Sequence, residues 1–243
     1  MGNVALVTGG SRGIGAATSR LLAAQGYAVA INFRAGAEGA EALSTELRAG
    51  GARCVAVQAD VADESQVLEM FESVEAQLGA VSHLVNNAGI LEQQMTLAEM
   101  TPERLQRVFA TNVTGTFLCC REAVRRMVAG NAIVNLSSVA AKLGSPGEYV
   151  DYAASKAAVD TLTIGLAKEV AAQGIRVNAV RPGVIRTTMH ADGGEPDRVA
   201  RVAKAVPMQR GGEPGEVAEA VAWLLSDGAS YITGTLVDVS GGR

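Results

Sequence analysis

The sequence predicts an α/β fold in which one doubly wound parallel sheet of about seven strands carries helices on both faces. Three observations lead there. Short, nearly continuous apolar runs such as Val4-Ala5-Leu6-Val7 suit strands that are covered on both faces. Longer stretches with helical apolar spacing lie between those runs. The alternation continues along the chain without a linker, charge run, low-complexity segment or short internal repeat. Strands alternating with crossover helices build right-handed βαβ units. With 243 residues, a single domain spanning 1–243 is the simplest organisation.

Strands are expected at Asn3–Thr8, Tyr27–Phe33, Arg53–Gln58, His83–Asn87, Ala132–Ser137, Ile175–Val180 and Leu236–Val239. In the first helix Ile14, Ala17, Thr18, Leu21 and Leu22 recur at helical spacing, and Gly26 stands where a C-terminal cap belongs. Asp63-Glu64-Ser65-Gln66 predicts a capping box. Thr101-Pro102 pairs a capping residue with a first-turn proline. Leu105, Val108, Val113, Phe117, Leu118 and Val124 predict one long apolar helix. Val159, Leu162, Ile164 and Leu166 predict another. The segment 186–212 breaks the rhythm. It is polar, contains Gly193, Gly194, Pro196, Pro207, Gly211 and Gly212, and is expected to make a partly helical excursion that covers a substrate at the sheet edge.

Composition excludes several classes. Hydrophobic residues make up 48% and charged residues 19%, a globular balance. A net charge of −4 leaves no basic excess for nucleic acid. Cys54, Cys119 and Cys120 form neither a disulfide framework nor a zinc spacing. His83 and His190 stand far apart, so no metal site is expected. No run approaches about 18 apolar residues. A soluble, cytoplasmic protein with no membrane partner is the expectation.

Thr8-Gly9-Gly10-Ser11-Arg12-Gly13-Ile14-Gly15 follows the first strand and opens the first helix. Glycines allow a tight turn and close approach to a pyrophosphate, and the helix N-terminus offers free N–H groups. Gly9, Ser11, Arg12, Gly13, Ile14 and Gly15 are therefore candidate cofactor contacts. No Lys-Ser or Lys-Thr follows, which excludes a Walker-type loop. An acid after the second strand would select NAD through the ribose 2′-hydroxyl. This chain instead has Asn32-Phe33-Arg34 and no acid until Glu38. With Asn32 in that place, Arg12 and Arg34 are candidates for a 2′-phosphate, favouring NADP(H) over NAD(H). The plainer reading leaves both arginines as solvated surface charges.

Tyr152 and Lys156 stand four apart on a predicted helix and share a face. A neighbouring cation is expected to lower a phenol's pKa and fit it for proton transfer. Ser137-Ser138 and Asn86-Asn87-Ala88-Gly89 end two strands at the carboxyl edge, where open α/β sheets bind ligands. Together with Asp60-Val61, Asn112 and Pro182-Gly183, these motifs occur in order over nearly the whole chain. In this the sequence resembles the short-chain dehydrogenase/reductase family, a Rossmann-type fold. It is similar to bacterial members of the 3-oxoacyl-carrier-protein reductase and glucose dehydrogenase kinds.

The resemblance implies hydride transfer between a nicotinamide and a carbonyl or secondary alcohol. Tyr152 would be the general acid or base, Lys156 would hold the nicotinamide ribose, and Ser138 would bond the substrate oxygen. Asn112 would support a water relay to Lys156; its plain reading is a helix-interior amide bonded to local backbone. Asp60 and Val61 would lie at the adenine, though Asp60 also reads as a turn residue. Asn86, Asn87, Ala88 and Gly89 would line the cofactor. Pro182, Gly183, Ile185 and Thr187 would fix the carboxamide, with Pro182-Gly183 as a strand-ending turn the plain alternative. A homotetramer is implied through the two long apolar helices. The loop before Tyr152 is a residue longer than in many relatives, so Ser137 competes with Ser138, and Tyr149 is a second tyrosine at the pocket. Gln93, Gln94, Leu143, Tyr149, Met189 and Met208 are expected to contact substrate. The alternatives are a catalytically silent dinucleotide-binding regulator or scaffold, a sugar dehydrogenase, and, by fold analogy alone, a flavin or nucleotide-sugar enzyme.

Overall fold

A computed structural model describes residues 2–243. Seven strands form in the places expected: β1 (Val4–Val7), β2 (Ala28–Phe33), β3 (Cys54–Gln58), β4 (His83–Asn86), β5 (Ala132–Leu136), β6 (Arg176–Pro182) and β7 (Leu236–Val239). They make one sheet in the order β3-β2-β1-β4-β5-β6-β7, and every pairing is parallel. Val7 of β1 pairs with Ile31 on one side and Val85 on the other. The winding therefore reverses between β1 and β4, which opens a crevice at their carboxyl ends.

The helices are α1 (Gly13–Ala24), α2 (Ala37–Ala49), α3 (Glu64–Leu78), α4 (Pro102–Phe109), α5 (Gly115–Arg126), α6 (Ala140–Leu143), α7 (Val150–Val170), α8 (Met189–Asp192), α9 (Arg198–Ala203) and α10 (Pro214–Leu225). Alternate side chains of β1 point to opposite faces and enter two separate cores. Val4 and Leu6 join α3, α5 and α7 residues such as Phe71, Cys119 and Val170. Ala5 and Val7 join residues of α1, α2 and α10 such as Leu22, Leu43 and Leu224. Apolar runs in the strands are thus required by helices on both faces. No helix of the described residues is long and apolar enough to cross a membrane.

Local signals worked with two differences. Thr101 accepts the Arg104 N–H and caps α4. Gly26 follows α1 with φ +87°, a left-handed conformation glycine adopts freely. Asp63 caps α3 by accepting from the Ser65 and Gln66 N–H groups. The reciprocal half of the expected box is different: Gln66 Oε1 accepts from the Asp60 N–H at 2.9 Å and so ties the helix to the end of β3. The long helix expected through Leu105 and Val124 is also interrupted. A π-helical turn, Ala110–Thr114, separates α4 from α5 and carries Asn112. Phe109, Phe117 and Ile164 remain exposed on this side of the molecule.

Beyond β6, the segment 186–212 forms the short helices α8 and α9 over the edge of the site. It is closed by a parallel bridge between Ile185 and Gly212. A small apolar cluster of Val184, Val199, Val202 and Val206 seats it.

Candidate active site

Glycine chemistry shapes the cofactor end. Gly9 and Gly13 have φ +58° and +53°. A Cβ on Gly15 would lie 2.3 Å from the Gly9 carbonyl oxygen and 2.6 Å from Asn87 Nδ2, so this position admits no side chain. Gly15 lies outside the cavity lining; its role is to let Asn87 approach. The Asn87 amide then donates to the Thr8 and Gly9 carbonyls, both at 2.9 Å. The resulting cavity of about 440 Å³ is lined by the loop Gly9 to Ile14 and by the carboxyl ends of β2, β3 and β4. Ser11, Arg12, Asp60, Val61, Ala88, Gly89 and Thr187 all face it. These residues fit the phosphates and adenosine of a dinucleotide: a glycine-rich turn opening onto a helix N-terminus.

Asn32 lines this first cavity, but its amide is engaged within the sheet. It is 1% exposed. Its Oδ1 accepts from the Gly9 N–H and its Nδ2 donates to the Ala59 carbonyl. It stitches the glycine loop to the sheet, and Arg34 lines the cavity beside it. Arg34 is exposed and only 3.8 Å from Asp60. Arg12 pairs with Asp192 of α8 at 2.7 Å and bonds Thr188. Asp60 forms a turn, its Oδ1 accepting from the Ala62 N–H.

The second cavity, about 470 Å³, meets the first along Ile14, Asn87, Thr187 and Met189. Tyr152, Ser138 and Lys156 line it together. The Ser138 hydroxyl lies beside the Tyr152 phenol and accepts from the Ala140 N–H. Ser137 also lines this cavity, but it is buried and its hydroxyl donates to the Lys156 carbonyl. Lys156 is 4% exposed; its Nζ donates to the Leu136 carbonyl at 2.7 Å and lies 5.7 Å from the centre of the Tyr152 ring. Burial dominates the electrostatics. It pushes the phenol up to about 12, against the nearby Ser138 hydroxyl, and the ammonium down to about 8, against Asp160. Burial of the phenol sets the direction of its shift in this structure.

The other predicted residues divide. Asn112 is fully buried, with Oδ1 accepting from the Ile90 N–H and Nδ2 donating to the Ile90 carbonyl and Ser155 Oγ. A Cβ on Gly89 would come 3.4 Å from Asn112 Oδ1 and 3.5 Å from Lys156 Nζ, so that glycine keeps the space between them open. Asn86 is turned into the core, where its Nδ2 donates to Asn135 and Cys120. Pro182, Gly183 and Ile185 line the second cavity. A Cβ on Gly183 would lie 2.8 Å from Ser240 Cα.

Of the expected substrate contacts, Leu143, Tyr149 and Met189 line this cavity. Gln93 gives its carbonyl to Arg104, Gln94 bonds Glu195, and Met208 faces a separate depression. Tyr149 donates to the Gly193 carbonyl beneath the Arg198 guanidinium, which holds it as a brace for the covering segment. His190 and Arg198 line the cavity as well. The His190 Nε2–H donates to the Ile185 carbonyl, and its Nδ1 has no partner. Neither residue carries a motif, since α8 and α9 are too short to show a period. The deeply buried pair of Arg104 and Asp151 was equally invisible.

A family model described as enoyl-(acyl carrier protein) reductase matches residues 9–243. The chain is 58% identical over 245 residues to the uncharacterized oxidoreductase YgfF of Escherichia coli, covering 99% of both chains. It is 42% identical over 240 residues to the 3-oxoacyl-[acyl-carrier-protein] reductase FabG of Staphylococcus aureus, covering 98% of this chain and 96% of that one. A short-chain dehydrogenase from Burkholderia cenocepacia, solved in complex with NADP, superposes with a TM-score of 0.92 at 36% identity, over 100% of this chain and 98% of the other. With the ordered motifs, the reversed sheet and paired cavities, these likenesses establish that the chain belongs to the short-chain dehydrogenase/reductase family of oxidoreductases.

Proposed function

We propose that the protein is an NADP(H)-dependent oxidoreductase acting on a carbonyl or secondary alcohol. The observation that carries this reading is the meeting of two cavities, one built for a dinucleotide and one with the Tyr152 and Ser138 hydroxyls at its lining. A nicotinamide dinucleotide, when bound, supplies or accepts the hydride. In reduction Tyr152 gives its proton to the substrate oxygen; a phenol held at about 12 is fully in its donor form at neutral pH. Ser138 donates to the same oxygen and stabilises charge developing on it. Lys156 is charged at neutral pH, supports that charge and is placed to hold a ribose hydroxyl. Asn112 acts through Ile90 and Ser155 as a positioning residue. The segment 186–212 excludes water from the substrate. The three cysteines are buried and unpaired, which suits a cytoplasmic enzyme.

Tyr152→Phe keeps the ring but removes the proton donor. Its turnover should fall by about 10²- to 10⁴-fold, with NADPH binding nearly unchanged. Ser138→Ala should lower the rate, and Ser137→Ala should be mild. Steady-state reduction of a carbonyl panel measures all three. Near-normal turnover by Tyr152→Phe would overturn the proton chemistry.

The exposed Arg34 just after β2 supports a preference for NADP(H). NADPH should bind more tightly than NADH, and Arg34→Asp should shift the preference toward NADH by repelling a 2′-phosphate. Fluorescence titration of both reduced cofactors decides this, and tighter NADH binding by the wild type would sink it.

Lys156 also gives a signature in stability. Its folded pKa is about 8 against an ordinary value of 10.5. Between those values the unfolded chain holds the proton and the folded chain does not, so stability rises with pH across that window. The cost of the buried charge is present in full below about pH 8. Wild type should gain on Lys156→Met by up to about 1.4 kcal/mol per pH unit in the window. Thermal unfolding from neutral to alkaline pH reads this, and a difference flat with pH would contradict a desolvated ammonium.

Phe109, Phe117 and Ile164 leave apolar surface on α4, α5 and α7. We assign it to subunit contacts in a homotetramer. Light scattering that returns a monomer at micromolar concentration would exclude that assembly.

A further inference from the structure

We propose that Arg104 and Asp151 are positioning residues that hold Tyr152 and couple it to the loop after β4. This rests on the reading of Tyr152 as the proton donor.

The first turn of a helix has N–H groups without helical partners and needs a cap to hold it. In α7 that turn carries Tyr152, yet the capping position is occupied by Tyr149, whose side chain caps nothing. Asp151 does the work from inside the turn. Its Oδ1 accepts from the Tyr152 N–H at 2.9 Å. A free carboxylate would swing away, but this one is gripped. Arg104 Nε reaches Oδ2 at 2.7 Å and Nη2 reaches Oδ1 at 3.2 Å, a forked contact. The two side chains are 4% and 1% exposed. The remaining arm of the guanidinium donates to the Gln93 carbonyl. One buried cation thus joins α4, the loop that borders the substrate cavity, and the first turn of α7.

The other end of the Tyr152 peptide is also held. Its carbonyl accepts from Ser155 Oγ at 2.7 Å, and that hydroxyl accepts from Asn112 Nδ2 at 3.1 Å. Tyr152 is therefore clamped at its N–H by the ion pair and at its C=O by the π-helical turn. Buried ion pairs contribute little net stability compared with well-packed apolar replacements. Fixing a reacting group is a sufficient reason for this one, since displacement by about 1 Å costs up to about 10²-fold in rate.

The test uses four variants of the full chain: Arg104→Met, Asp151→Asn, Arg104→Lys and the double Arg104→Met/Asp151→Asn. Single neutralisations leave a buried charge unpaired and should lower the melting temperature. The double variant removes both charges, should recover much of that loss, and keeps an acceptor for the Tyr152 N–H. With wild-type NADPH affinity to within about twofold, its kcat should remain about 10- to 100-fold down. Arg104→Lys has one ammonium where a fork is needed and should fall between wild type and the double variant. Isotope-labelled tyrosine gives an independent NMR readout, with the Tyr152 resonance assigned by its loss in Tyr152→Phe. That resonance should shift or broaden in the double variant and move back toward wild type in Arg104→Lys. A double variant with wild-type kcat and an unmoved Tyr152 resonance would overturn the proposal and leave the pair a purely structural element. A wild type that turns over no carbonyl, or a Tyr152→Phe that remains active, would instead overturn the catalytic reading, while the resonance still reports whether the pair holds Tyr152.

Discussion

The site is built outward from one contact, the Asn87 amide donating to the carbonyls of Thr8 and Gly9. It joins the carboxyl ends of β1 and β4 at the point where the sheet reverses its winding. Gly15 must lack a side chain for the contact to exist. Thr8 reinforces it, its hydroxyl accepting from the N–H groups of Asn87 and Ala88. Asn32 holds the far side of the same loop from within the core. The floor of the crevice is therefore rigid backbone, and a dinucleotide can be met by N–H groups that are already aimed.

A rigid floor does not by itself make a reactive site. The adjoining cavity is enclosed enough that burial moves both titratable groups away from their charged forms. The phenol is kept as a donor, and the ammonium is held in place by a backbone carbonyl. Both changes work against stability in the charged state, the usual cost of placing ionisable groups where they act. The covering segment answers a different need. Glu148 and Glu195 pair with Arg198 and Arg201, and the Arg201 bond holds the Glu195 carboxyl down to about 2. This network fastens α9 to the loop before α7 at the rim, while Tyr149 and His190 bond backbone carbonyls beneath it.

The amino-acid sequence alone determined the strands, their order of appearance, the glycine loop and the spacing of Tyr152 and Lys156. Each of these is local: a period of two or 3.6, a turn that only glycine makes, or two side chains one helical turn apart. Tertiary structure decided the rest. Asn32 stood where a ribose contact belonged, but strand pairing turned its amide inward to Gly9 and Ala59. Gln66 Oε1 took the Asp60 N–H while its Nε2 kept a bond to the Asp63 carboxylate, because β3 ended within reach. Arg104 and Asp151 lie 47 residues apart, and only the packing of α4 on α7 makes them partners. The direction of the Tyr152 and Lys156 shifts was likewise a property of enclosure: spacing identifies the neighbour, whereas desolvation depends on every atom that the fold brings around the pair.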